Sequence, residues 1–256
     1  MIIISPAKKL DFQRLSSNID YTQSKFINKT DILSKKLKSL RLSEVKTLMK
    51  ISDKLSKLNF DRIKSFTKKH SLENSKQAAY AFKGDTYVGL KFEEFGEKDI
   101  DYAQKNLRIL SGLYGVLKPL DLIQPYRLEM GTKIEKILDQ SLPSFWSLDV
   151  TENINSAIKQ NKSKYLFNLS SNEYFLSIDE SKIIKPIITP VFTKKENGNL
   201  KSLGMLAKKC RGAMARMIIK KKIKNFEDLK SFNELGFKYE STEKKNNKLF
   251  FVKSDG

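Results

Sequence analysis

The run Leu107-Arg108-Ile109-Leu110-Ser111-Gly112-Leu113-Tyr114-Gly115-Val116-Leu117-Lys118-Pro119 carries more information about the fold than any other stretch of the chain. Together with Ala103 it sets Leu107, Leu110, Tyr114 and Leu117 on one stripe of a helix that would start at Asp101 and stop before Pro119. Gly112 and Gly115 oppose that reading. Each costs roughly 1 kcal/mol inside a helix, so a hairpin or a close backbone approach is expected in place of an uninterrupted helix.

Working outward, Ile2-Ile3-Ile4 reads as a short buried strand stopped by Pro6 and followed by the basic loop Ala7-Lys8-Lys9. Residues 30–66 carry apolar positions at helical spacing, with Ser43 as an N-cap between two helices. Downstream, residues 151–161 predict a helix, and 165–169 a strand ending at Ser170-Ser171-Asn172. Residues 183–193 and 200–205 predict a hairpin about Asn197-Gly198, a dipeptide suited to positive φ. A helix is expected over 207–222, and residues 237–239 pair with 249–252. There is no repeat and no Pro/Gly/Ser linker, so residues 1–256 are expected to form one α+β domain with an antiparallel portion.

Composition removes whole classes of chemistry. A single Cys and a single His cannot build a disulfide framework or a structural zinc site, and no metal or other cofactor is expected. His70, in a polar segment, reads as an exposed loop or cap residue. No apolar run approaches the roughly 20 residues of a membrane span, so no membrane association and a cytoplasmic location are expected. Neither G-x-x-x-x-G-K-[ST] nor a strand-linked G-x-G-x-x-G is present, which disfavours ATP hydrolysis and dinucleotide binding. The net charge of +20 attracts polyanions, but only seven of the 49 cations are arginine, and a lysine excess also follows from A/T-rich codons. Arginine grips phosphate bidentately and is the better marker. Arg108, Arg127, Arg211 and Arg216 fall in two short blocks. On a helix near 210, Lys209, Gly212, Ala213, Arg216 and Lys220 share a face whose small residues would let a phosphate approach.

Two segments have the look of a helix-hairpin-helix turn, which offers backbone N–H groups to phosphate. One is Leu107 to Pro119, with two residues between its glycines. The other is Ser52 to Ile63, which has no glycine and carries Lys57 before Leu58, a disfavoured route for phosphate. Asp85, Asp121 and Glu129 are candidate acids or bases, with helix caps and Arg partners as the plainer roles.

The blocks SPAK (5–8), AFKGDTYVGL (81–90), LRILSGLYGVLKPLDLIQPYRLEMG (107–131), NLSSNEYF (168–175) and AKKCRGAMAR (207–216) together closely resemble the bacterial YaaA peroxide-stress proteins. The resemblance implies a single-domain mixed fold peculiar to that family, a basic cleft, a helix-hairpin-helix-like element and binding of duplex or branched DNA. It also implies a part in limiting free intracellular iron under hydrogen peroxide. Carried onto this chain, Lys8, Lys83, Arg108, Lys118, Arg127, Lys208, Lys209, Arg211 and Arg216 are the expected DNA-contacting residues.

The first reading is therefore sequence-independent DNA binding in oxidative stress, linked indirectly to iron. The alternative is an enzyme acting on a nucleotide or nucleic-acid phosphate, with Ser5, Lys8, Asp85, Tyr126, Arg127 and Glu129 converging on a pocket. A direct iron buffer is disfavoured for want of a dense carboxylate cluster. Geometry separates the first two: convergence in one concave pocket favours catalysis, dispersal along an open groove favours binding. The oligomeric state is left open.

Overall fold

A computed structural model describes residues 1–15, 19–196 and 199–253, and for 195, 196 and 199–202 the backbone alone. Its centre is strand β1 (Ile2–Ile4), whose three isoleucines are all essentially inaccessible to solvent. Neighbouring strand residues point to opposite faces, so both faces of the sheet are covered there. β1 pairs in parallel with β2 (Leu107–Ser111) on one side and with β4 (Leu166–Leu169) on the other. Beyond β2 lies the antiparallel β3 (Gly115–Leu117). Beyond β4 the sheet continues through parallel β5 (Ile187–Glu196), on which β6 (Asn199–Ser202) folds back. β7 (Phe237–Glu243) and β8 (Lys248–Lys253) close that edge, β8 running parallel to β5. The spatial order is β7-β8-β5-β4-β1-β2-β3.

The expected antiparallel pairing is thus confined to the edges, around a core of five parallel strands. A three-residue strand whose partners lie more than 100 and 160 positions away leaves no local signature of parallel pairing. The turn expected at Asn197-Gly198 lies outside the described residues, although the two strands flanking it pair as expected.

Among the described residues, the α-helices longer than four residues are α1 (Ile27–Lys38), α2 (Leu42–Met49), α3 (Asp53–Ser65), α4 (Asp85–Leu90), α5 (Glu97–Asn106), α6 (Leu142–Gln160) and α7 (Gly204–Lys221). One apolar core runs from Met1 to Phe251, consistent with a single domain.

Of the helical stripe from 101 to 117 only the part up to Asn106 is helical, where α5 ends; the chain then becomes the hairpin β2–β3, the alternative its two glycines favoured. Gly115 sits at φ +71, the left-handed position that closes a three-residue hairpin loop, and a Cβ there would lie 2.5 Å from the Trp146 ring. At Gly112 a Cβ would lie 2.3 Å from the Leu128 carbonyl oxygen, and Trp146 Nε1 donates to the Gly112 carbonyl at 2.9 Å. The glycines are therefore buried packing positions, and the reading of Leu107 to Pro119 as a phosphate-binding hairpin is withdrawn. Ser52 to Ile63 is likewise no hairpin. Ser52 caps the continuous helix α3, and the turn from α2 is made by Lys50 at φ 50, Ile51 and Ser52. Helix α2 is capped by Arg41, so it starts two residues earlier than a Ser43 cap would place it.

Candidate functional site

In an open sheet with parallel strands, ligands bind beyond the carboxyl ends of the strands where the connections diverge to either side. Here the chain leaves β1 for β2 on one side and later enters β4 on the other, so that point lies between β1 and β4. Ser5 follows β1 and Ser171 follows β4. The Ser171 N–H donates to Ser5 Oγ at 2.9 Å, and the two hydroxyls lie 3.3 Å apart. Tyr87 of α4 donates to the Ser5 carbonyl at 3.2 Å.

Ser5 and Ser171 line a cleft of about 390 Å³. Its walls bring together Lys8, Lys9, Lys83, Arg127, Lys208 and Arg211, against the carboxylates Asp85, Glu129 and Glu173. Each arrives by a local device. Residues 9–10 pair antiparallel with 82–83, setting Lys9 opposite Lys83. Arg127 and Glu129 lie on the strap after the β3 loop, where Glu129 bridges Arg127 Nη2 at 2.9 Å and Lys8 Nζ at 2.6 Å. Glu173 accepts from the Gly131 N–H at 2.9 Å, tying the strap to the end of β4. Lys208 and Arg211 come from the first half of α7. Among the described residues, no carboxylate ion-pairs with Lys83, Lys208 or Arg211. Burial pushes the phenols of the lining residues Tyr126 and Tyr174 up, so both stay neutral.

The six residues of the pocket reading, Ser5, Lys8, Asp85, Tyr126, Arg127 and Glu129, all meet here. Of the nine expected DNA contacts, Lys8, Lys83, Arg127, Lys208 and Arg211 line the cleft. The other four do not. Arg108 is buried and caps α5, donating through Nη1 to the carbonyls of Gln104, Lys105 and Leu107 at 3.2, 3.3 and 2.8 Å. Lys118, beside it, follows the end of β3. Arg216 pairs with Glu94 at 2.7 Å and lies over the Phe95 ring.

Lys209 belongs to the interface of α7 with α4, and the small-residue face expected to admit phosphate is instead filled by that helix. A Cβ on Gly212 would stand 1.8 Å from the Thr86 carbonyl oxygen, and one on Gly89 2.0 Å from that of Lys209.

His70 is buried, not exposed. Its Nε2 lies 2.9 Å from the Tyr114 hydroxyl, and burial lowers its pKa. Cys210 is buried too, with its thiol pushed up to about 12 by desolvation. Sequence reading missed Ser171, Glu173 and Tyr174 as site residues. The available signal was the pair of short polar runs following β1 and β4, 5–6 and 170–172. Among the described residues, no three His, Cys, Asp or Glu side chains group to hold a metal, and no helix is long and apolar enough to cross a membrane.

A family model described as peroxide stress protein YaaA matches residues 1–243. The UPF0246 protein of Aliivibrio fischeri strain MJ11 is 43% identical over 255 residues, covering 100% of this chain and 98% of the relative. The UPF0246 protein of strain ES114 is similar to the same degree, 43% over 255 residues with the same coverage.

Proposed function

The chain belongs to the peroxide stress protein YaaA family, and from that premise we propose that it serves the peroxide stress response by binding DNA through the phosphate backbone, without sequence preference, in the cleft between β1 and β4. The observation that carries this reading is the meeting of five cations from four separate stretches, Lys8, Lys83, Arg127, Lys208 and Arg211, three of them without a carboxylate partner among the described residues. Phosphate contacts of this kind position a strand and do not read its bases. Mobility shifts of unrelated duplexes in rising salt test it. Equal affinities that fall steeply with salt are expected, and no binding at about 50 mM salt ends the proposal.

A second reading, an enzyme acting on a nucleotide or nucleic-acid phosphate, is favoured by the convergence of Ser5, Lys8, Arg127 and Glu129 in one concavity. The hydrogen bonding weighs against it. The Ser5 hydroxyl is engaged with Ser171, and Glu129 is held between two cations. Neither is placed as nucleophile and base. Phosphate release from nucleotides or oligonucleotides, lost in Ser5→Ala and Glu129→Gln, would reverse that preference. The effect on free iron is taken as indirect, since the one imidazole is buried on Tyr114 and the one thiol is buried and protonated.

A further inference from the structure

We infer a second anion site, at the opposite end of the sheet from the cleft, taking a small oxyanion that still carries a proton at neutral pH: inorganic phosphate. Arg108 is the second residue of β2, Lys118 follows the last residue of antiparallel β3, and Asn153 lies on α6. Together they line a cavity of about 240 Å³, below the roughly 300–1,000 Å³ of sites for drug-sized molecules and suited to a small ion.

Two residues of this cavity's lining, Arg108 and Asn153, each carry a buried polar atom without a hydrogen-bond partner among the described residues. Arg108 is 5% exposed, and while Nη1 serves three carbonyls, its Nε–H is buried without an acceptor. Asn153 Oδ1 is buried without a donor. Unsatisfied buried groups of this kind are rare and costly in folded proteins, and more so when charged. An occupant that answers both must accept from the guanidinium and donate to the amide oxygen.

Charge selects further. Lys25, Arg108 and Lys118 line the cavity against a single carboxylate, Asp121. The Asp121 oxygens already accept from Thr22 Oγ1 at 2.6 Å and from the Lys118 N–H at 2.8 Å. Water would satisfy the hydrogen bonds but leave the charge uncompensated. Sulfate would answer the charge but, fully ionised at neutral pH, has no proton for Asn153. Inorganic phosphate supplies both, because its dianion keeps one hydroxyl, whereas a phosphate monoester with a second pKa near about 6 is mostly a dianion with none. The inference is independent of the DNA reading, since none of these residues lines the cleft.

Calorimetric titration of inorganic phosphate and of sulfate into the wild type, Arg211→Ala, Asn153→Leu and Lys118→Met tests the site. The expected result is phosphate binding that survives Arg211→Ala, weakens about tenfold or more in Asn153→Leu and in Lys118→Met, and exceeds sulfate binding by about tenfold in the wild type. Lys118 is solvent-exposed, so its variant keeps the test valid should Asn153→Leu fail to fold. Absence of phosphate binding, phosphate affinity unchanged in Lys118→Met, its loss in Arg211→Ala alone, or equal affinity for sulfate each overturns the inference.

Discussion

The hydrogen bond between His70 and Tyr114 ties the segment before residue 78 to the loop of the β2–β3 hairpin, and Gln124 completes the network by donating its N–H to the same phenol at 3.0 Å. Burial lowers the His70 pKa, so in acid the unfolded chain takes a proton that the folded state refuses. The contribution is neutral above about 6.5, the ordinary imidazole value, and stability is lost as the pH falls from there toward the folded-state pKa. Melting curves at about pH 7.5 and pH 5.5 should show a smaller acid-side loss for His70→Phe than for the wild type. An equal loss in both would place the proton sensitivity elsewhere. Glu129 gives a second prediction at this scale. Its carboxylate neutralises Lys8 and Arg127, so Glu129→Gln should tighten DNA binding several-fold and steepen its salt dependence, whereas a catalytic Glu129 would lose turnover with little gain in affinity. That Lys8, Arg127 and Glu129 would line one pocket was legible in the sequence. The engagement of Arg108 with helix carbonyls was not, because a guanidinium placed on phosphate and one placed on backbone oxygen share the same local sequence.

Helices α4 and α7 meet through reciprocal glycines, Gly89 against the Lys209 carbonyl and Gly212 against that of Thr86. Ordinary side chains at either position would push the helices apart. Gly212→Ala is therefore expected to destabilise the fold by about 1–3 kcal/mol in urea titration, and to weaken DNA binding as well, because α7 carries Lys208 and Arg211 into the cleft. A variant with wild-type midpoint and affinity would contradict the close approach. Helical spacing alone put Gly212 on a basic face. What covers that face is a helix more than 100 residues earlier in the chain, and periodicity within one helix says nothing of its neighbour. Most helices and edge hairpins, by contrast, were legible from local patterns, 207–222 against the observed Gly204–Lys221 among them. In the stretch from 107 to 117 the apolar residues satisfy both a helical stripe and a fully buried strand, and only the cost of its two glycines pointed to the hairpin. Trp146, seated on Gly115, decides between them from a distant element.

On the scale of the whole molecule, the parallel core explains why residues as far apart as Ser5 and Ser171 meet. Both follow strands that end on the same side of the sheet, at the point where the connections part. The grouping of Lys8, Lys83, Arg127, Lys208 and Arg211 follows from that topology, while Arg108 and Lys118, carried by the opposite strand ends, belong to a separate cavity. The central claim is that the cleft cations hold the DNA. The slope of log K against log salt concentration for duplex binding, compared between the wild type and the double variant Lys83→Ala/Arg211→Ala, tests it most directly. Each phosphate contact contributes about −0.9, so the account predicts a slope shallower by about 1–2 with a matching loss of affinity. An unchanged slope and affinity in a folded double variant would contradict it.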